Sequence, residues 1–354
     1  MSKVIRVLIV DDSAYVRKVV RQMLSRSPFI EVVGTAHDGK DALEQIEKLN
    51  PDVVTLDLIM PEMEGVEFLK HQMAKHPIPV VVVSIADEGG ERVLAALDAG
   101  AVDFVQKPTA LATDKMYDIS DELIDKVKAA AHVPLNRLPV QAPSPLVLVE
   151  KPMTPSPVSS QALEMIVIGI STGGPQALAY AIPQLPADFP LPIAVVLHMP
   201  IGYTKMYAER LNGLSALEVI EAAEGDEVRP GRVMIAPAGR HLTFVRQPNG
   251  QVLAHLEARP FDMLHRPSVD VLFQSAAEVY GSHLLGVVMT GMGSDGKQGS
   301  AWIKSHGGLV YTEDESSCVV YGMPRSVVEA GLSDRRISLQ YLPSTLIHLA
   351  TSGV

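Results

Sequence analysis

What most constrains the fold of this chain is a regular exchange between short apolar runs and segments whose apolar residues recur at helical spacing. VIRVLIV, EVVGTA, VVTLDL, PVVVVS and DFVQK alternate with helix-period segments at Ala14 to Ser25, Gly39 to Leu49, around Val66 to Lys75, around Glu91 to Asp98, and near Ile119 to Ala131. Apolar runs that do not alternate with polar residues fit strands buried on both faces, as in a parallel sheet covered by crossover helices. Residues 1–131 therefore read as a small doubly wound α/β domain with five parallel strands.

From 132 to 162 this pattern stops, and Pro134, Pro139, Pro143, Pro145, Pro152, Pro155 and Pro157 are scattered among Ser, Val and Gln. Proline at this density blocks helices and ladders and favours an extended spacer, so the segment reads as an interdomain linker. Apolar runs resume at EMIVIGI, PIAVVLH, VMIAP, HLTFV, VLAHLEA, LLGVVMT and LVYTE. Asn249-Gly250 between HLTFV and VLAHLEA is a hairpin signal. Residues 163–354 are thus expected to form a second α/β domain, a mostly parallel sheet with one antiparallel hairpin.

A formal net charge of −11 argues against a nucleic-acid backbone reader, which needs a concentrated basic surface. No run approaches the roughly 20 apolar residues that cross a bilayer, so no membrane insertion is expected. The run from Val4 to Val10 contains Arg6 and ends in Asp11-Asp12, too short and acidic for a secretory signal. Cys318 is the single cysteine and has no partner for a disulfide, which fits a reducing compartment. A cytoplasmic location is the expectation.

Asp11 and Asp12 close the first predicted strand, Asp57 the third, Ser84 the fourth and Lys107 the fifth. In an open parallel sheet these ends share one edge, where ligands bind. Three carboxylates crowded there call for a divalent cation, and an all-oxygen donor set suits Mg2+. With the cation and Lys107 balancing charge, Asp57 can attack the phosphorus of a donor, and Ser84 can hydrogen-bond a phosphoryl oxygen.

In the second domain, Gly169-Ile170-Ser171-Thr172-Gly173 follows an apolar strand and precedes a helix-period segment, the spacing of a turn that thrusts a serine out of a sheet. A phosphate-binding glycine turn or an ordinary tight turn has the same pattern. A serine nucleophile needs a base, and a histidine base needs an orienting carboxylate. His198 ends PIAVVL and Asp295 lies in TGMGSDG just after LLGVVM, so both fall beyond strand ends beside Ser171. The nearby glycines leave backbone N–H groups open as oxyanion donors. His241, His255, His265, His283 and His306 remain alternative bases, and Asp295 could equally cap the next helix. The order Ser, His, Asp also departs from that of α/β-hydrolases.

VDDS, the Asp57 strand followed by MPEMEG, VVSIAD and VQKPT together resemble the receiver domains of two-component systems over residues 3–130. That resemblance implies a flavodoxin-like fold, phosphorylation at Asp57, Mg2+ held by Asp12 and Asp57 beside Asp11, a switch pair Ser84 and Phe104, and Lys107 on the acyl phosphate. Ile59, where other receivers carry a polar residue, should contribute chiefly its backbone carbonyl to the metal. GISTGG, VVLHMP, IAPAGRHL, HRPSVDVLF, TGMGSDG and YGMPRSVVEAG resemble, in order, the chemotaxis protein-glutamate methylesterases over nearly all of 163–350. This second resemblance implies a Rossmann-like catalytic domain with Ser171 as nucleophile, His198 as base, Asp295 as its orienter, and Thr172 and Met292 beside the nascent oxyanion. It further implies methyl-accepting chemoreceptors as substrate, methanol as product, glutamine deamidation by the same acyl route, and a chemotaxis histidine kinase as phosphodonor. The unphosphorylated receiver would then restrain the esterase. Two rival readings, a hydrolase of small esters and a non-enzymatic phosphate-binding module, differ from it in whether methylated receptor is a substrate and whether Ser171 is nucleophilic.

Overall fold

The computed structural model describes residues 3–107, 119–134, 162–260 and 262–352. Of the segment read as a linker, 135–161 lie outside the described residues. The chain divides into two compact units, Met1–Gln141 and Ala142–Val354.

In the first unit the elements run β1 (Ile5–Val10), α1 (Ala14–Leu24), β2 (Ile30–Ala36), α2 (Gly39–Leu49), β3 (Val53–Leu56), α3 (Gly65–Lys75), β4 (Val80–Ile85), α4 (Ala86–Asp98), β5 (Asp103–Lys107) and α5 (Ser120–Ala130). The strands are all parallel, in the order β2-β1-β3-β4-β5. Valines and leucines from β1, β3 and β4 are buried, as their largely apolar runs require. Ser13 caps α1 through Val16 N–H, and Asp38 caps α2 through Asp41 N–H at 2.9 Å. Helix α4 begins at Ala86, five residues ahead of the sequence expectation at Glu91. Gly89-Gly90 lower local helix propensity, which is why the sequence reading places the start later.

The second unit runs β6 (Met165–Ile170), α6 (Gly174–Ala181), β7 (Ile193–Leu197), α7 (Tyr203–Leu214), β8 (Glu218–Glu221), β9 (Arg232–Ile235), β10 (His241–Arg246) and β11 (Val252–Glu257). It continues with α8 (Val269–Tyr280), β12 (Leu284–Val288), α9 (Lys297–Ser305), β13 (Leu309–Glu313), α10 (Met323–Glu329), β14 (Arg335–Ile337) and α11 (Leu342–Ser352). Seven parallel strands lie in the order β14-β13-β12-β6-β7-β9-β8, while β10 and β11 form a separate antiparallel hairpin. From β6 the chain builds outward through β7 in one direction and later through β12 in the other, so the carboxyl ends of β12, β6 and β7 flank the topological switch point. The hairpin's Leu242, Phe244, Val252 and Ala254 join Val269, Phe273 and Ala277 of α8 in the core. No helix among the described residues is long and apolar enough to cross a membrane.

Candidate active site and acidic pocket

In the first unit Asp11 and Asp57 are buried just beyond β1 and β3, while Asp12 is exposed. Lys107, the last residue of β5, is 4% exposed and donates from Nζ to Asp11 Oδ2 and to Asp57 Oδ2, each at 2.7 Å. Backbone N–H groups complete the two carboxylates: Ser13 donates to Asp11 Oδ1 at 3.0 Å and Leu58 to Asp57 Oδ1 at 2.7 Å. Burial works against the Lys107 charge, but the two carboxylates outweigh it and raise its pKa. For Asp11 burial dominates, and its carboxyl sits above the usual range despite Lys107.

One oxygen from each of Asp11, Asp12 and Asp57 falls within 4.8 Å of the others, and this all-oxygen set fits a hard divalent cation such as Mg2+. Ile59 is 39% exposed two residues past Asp57. Ser84 is buried in β4 with no hydrogen-bond partner for its Oγ. A buried hydroxyl left unpaired costs about 1–3 kcal/mol, which an incoming acceptor would relieve. Phe104 in β5 is 3% exposed, its ring 5.5 Å from Lys126 Nζ.

In the second unit β6 ends at Ile170, and Gly173 takes a φ of 77° that turns the chain into α6. Ser171 N–H donates to Thr290 O at 3.0 Å, which ties the turn to the end of β12. A Cβ on Gly291 would come within 2.8 Å of Ser171 Cβ, so a larger residue there would crowd the turn. The β6–β7 register pairs Ile170 with Leu197, and His198 N–H donates to Ile170 O at 3.1 Å. One step further along that register, Ser171 and His198 stand side by side on strands about 4.8 Å apart.

His198 Nε2 lies 2.9 Å from Asp295 Oδ2. As Asp295 is ionised, this nitrogen carries the proton, and the lone pair is left on Nδ1, which is buried without a hydrogen-bond partner. Ser171 Oγ makes no hydrogen bond among the described residues, so the structure joins histidine to aspartate and leaves the serine hydroxyl free to rotate. Such contacts commonly tighten only in the substrate complex. Thr172 is buried, and its carbonyl accepts from Thr290 Oγ1 at 2.9 Å. Met292 is half-buried, and its N–H has no acceptor among the described residues.

Asp295 accepts five hydrogen bonds: from His198, from Ser268 Oγ (2.9 Å), and from the N–H groups of Val269 (2.8 Å), Asp270 (3.0 Å) and Gly296 (3.1 Å). Asp295 therefore orients an imidazole and caps a helix at once, the helix being α8 rather than the one that follows it. Burial alone would raise its pKa, but the hydrogen bond and charge of His198 together with the backbone donors hold it down at about 2.

Asp270 returns the favour to α9, accepting from Gly296 N–H at 2.9 Å and Gly299 N–H at 2.7 Å. Its carboxyl is pushed up to about 6, chiefly by burial and further by the Asp295 charge, against the pull of those donors. A folded-state pKa raised from 3.8 means that stability is full below pH 3.8 and declines as pH rises through about 6. Asp270→Asn keeps an acceptor for both glycines and carries no charge. The variant is therefore expected to gain urea resistance over the parent at pH 7.5 and to lose that advantage near pH 4; parallel pH curves would contradict this.

Sequence reasoning named His241 and His265 only as alternative bases and gave no role to Ser268 or Asp270. His241 is fully buried, its Nε2 donating to Pro260 O at 3.1 Å and its Nδ1 accepting from Ser268 N–H at 3.2 Å. Burial holds it below the usual histidine range, so it stays neutral. The Ser-Val-Asp run inside HRPSVDVLF, directly ahead of a helix-period segment, was the available signal for a capping site.

The CheB methylesterase family model matches residues 166–346, and the response regulator receiver domain model matches residues 7–116. A protein-glutamate methylesterase/protein-glutamine glutaminase of Myxococcus xanthus is 52% identical over 332 residues, 93% of each chain. A protein of the same description from Thermotoga maritima is 42% identical over 348 residues, 98% of this chain and 99% of that one. The crystal structure of the Thermotoga maritima CheB methylesterase catalytic domain, 46% identical, covers 53% of this chain and all of its own, with a TM-score of 0.52.

Proposed function

Because the chain belongs to the CheB methylesterase family, with a response regulator receiver domain ahead of the methylesterase region, we propose that it removes methyl groups from glutamate methyl esters on chemoreceptors under the control of phosphorylation at Asp57. Glutamine deamidation by the same route belongs to the proposal. We assign the catalytic unit to residues 163–354, the receiver to 1–131 and the linker to 132–162, and place the protein in the cytoplasm beside its kinase.

One observation carries the catalytic reading: His198 gives its Nε2 to Asp295 and keeps an unpartnered Nδ1 on the strand end beside Ser171. Ser171 Oγ attacks the ester carbonyl carbon while its proton passes to His198 Nδ1. The Met292 and Thr172 N–H groups face the negative charge that builds on the carbonyl oxygen. Collapse expels methanol with the proton from His198, or ammonia where the substrate is an amide. Water, deprotonated by the same Nδ1, then releases the free glutamate carboxylate and restores Ser171.

In the receiver, Asp57 is the acceptor of the phosphoryl group. Asp11, Asp12 and Asp57, with the Ile59 carbonyl, would hold Mg2+, which supplies charge neutralisation for the transferring group when bound. Lys107, already on two carboxylates, can move onto a phosphoryl oxygen, and the unpartnered Ser84 hydroxyl can donate to another. Drawing Ser84 toward the phosphoryl group opens space for Phe104 on the next strand.

Methanol release from a methylated chemoreceptor, with and without acetyl phosphate, tests the whole proposal. Acetyl phosphate is expected to raise the parent's rate by about 5- to 150-fold, the usual range of such couplings, and to leave Asp57→Ala unresponsive. Equal stimulation of Asp57→Ala would remove Asp57 from the proposal, and hydrolysis of small esters with none of receptor would remove the substrate.

A further inference from the structure

The His198 ring is stacked on a second imidazole: its centroid lies 4.1 Å from that of His265, with 24° between the planes. His265 belongs to the segment joining the hairpin to α8, and three contacts pin that segment. The buried His241 holds its two ends through Pro260 O at 3.1 Å and Ser268 N–H at 3.2 Å. Gly239 N–H donates to Arg266 O at 2.9 Å, one residue beyond His265. Ser268 in turn donates to Asp295 Oδ1 at 2.9 Å. A buried imidazole and one backbone bond thus fix the loop that carries both a partner of the triad acid and a ring lying flat on the triad base.

The hydrogen bond to Asp295 fixes His198 at one atom only. An imidazole held at one nitrogen still tilts about the Cβ–Cγ bond, because that torsion has broad wells. Tilt swings Nδ1 off the line to Ser171, and misplacement on the scale of 1 Å costs about a hundredfold in rate. A flat ring across the face of His198 blocks this motion and leaves the edge bearing Nδ1 uncovered by the stack.

We propose that His265 is a positioning residue: its stacked ring, clipped in place by His241, sets the plane of His198 in which Nε2 meets Asp295 and Nδ1 addresses Ser171. The inference rests on the triad reading above and extends it to a residue outside the triad. It asks for a flat ring at position 265 and for no proton transfer there.

The test compares His265→Phe, which keeps a plane, with His265→Leu, which fills volume without one. In both, methanol release from methylated receptor gives kcat and KM, and 15N spectra of histidine-labelled protein without substrate report the His198 tautomer. Expected for His265→Leu are a fall in kcat of about ten- to a hundredfold at unchanged KM, and loss of the single Nε2–H signature. His265→Phe should stay within a few-fold of the parent with that signature intact. Parent-like kcat in His265→Leu overturns the proposal, as does a His265→Phe defect equal to that of His265→Leu with the His198 spectrum unchanged. The spectra need no substrate, so failure of the receptor-ester reading and failure of the positioning role are told apart.

Discussion

Ser171→Ala is expected to lower kcat for methanol release about a millionfold, the loss seen when a serine nucleophile is removed from a triad that works as a unit. The serine's Oγ makes no hydrogen bond among the described residues, so its deletion leaves no buried group orphaned. The turn itself is held by backbone bonds, from Ser171 N–H to Thr290 O at 3.0 Å and from Gly174 N–H to Ser171 O at 2.7 Å. Unfolding free energy should therefore stay within about 0.5 kcal/mol of the parent, and KM should change little. The pairing of a very large kinetic effect with a negligible stability effect separates a chemical role from a packing role. Urea titration and single-turnover methanol release on one preparation measure both.

Asp295→Asn should lower kcat about ten-thousandfold and, unlike the serine change, should also destabilise the protein. Every neighbour of the Asp295 carboxylate is a donor: two meet Oδ2 and three meet Oδ1. An amide must turn its NH2 toward one set, and the smaller set holds His198 Nε2. The NH2 then donates to that nitrogen and drives the imidazole proton to Nδ1, where the base needs a lone pair. Val269 N–H loses its acceptor in the same orientation, costing about 1–3 kcal/mol.

The pH dependence follows the same carboxylate. With a folded-state pKa of about 2 against 3.8, Asp295 contributes stability that is full above pH 3.8 and lost as pH falls toward 2. In the Asn variant this acid-side loss disappears. A variant that keeps parental activity would argue that Asp295 is only a helix cap, and an unchanged acid transition would argue that these donors do not hold its carboxylate.

The elements buried on both faces were the legible ones. β1, β3, β4, β6, β7 and β12 carry near-continuous apolar runs because helices cover both sides of a parallel sheet, and they surface directly from the sequence. β8, with sequence EVIE, and β14, with sequence RRI, were missed because they are short edge strands in which charged residues interrupt the apolar pattern. Ser171 and His198 could be read because each directly follows a strand, which fixes its place in any parallel sheet.

Asp295 was harder, since a loop separates it from β12, and only packing of α8 beside α9 shows that it caps one helix while meeting His198. The parts that escaped altogether are contacts across long separations: Ser268 and Asp270 with Asp295 and Gly296, and the clip from His241 to Pro260 and Ser268. The Ser-Val-Asp run marks a helix start, but nothing in local composition says which distant groups such residues meet once the hairpin and α8 have closed on each other.

The most direct measurement is peptide mapping of the adduct formed with a fluorophosphonate, in the presence and absence of acetyl phosphate and Mg2+. A single adduct on Ser171 is predicted, formed faster with phosphodonor in the parent, at one unchanged rate in Asp57→Ala, and lost in His198→Ala. Full inactivation of the esterase with the adduct on any residue other than Ser171 would contradict the account.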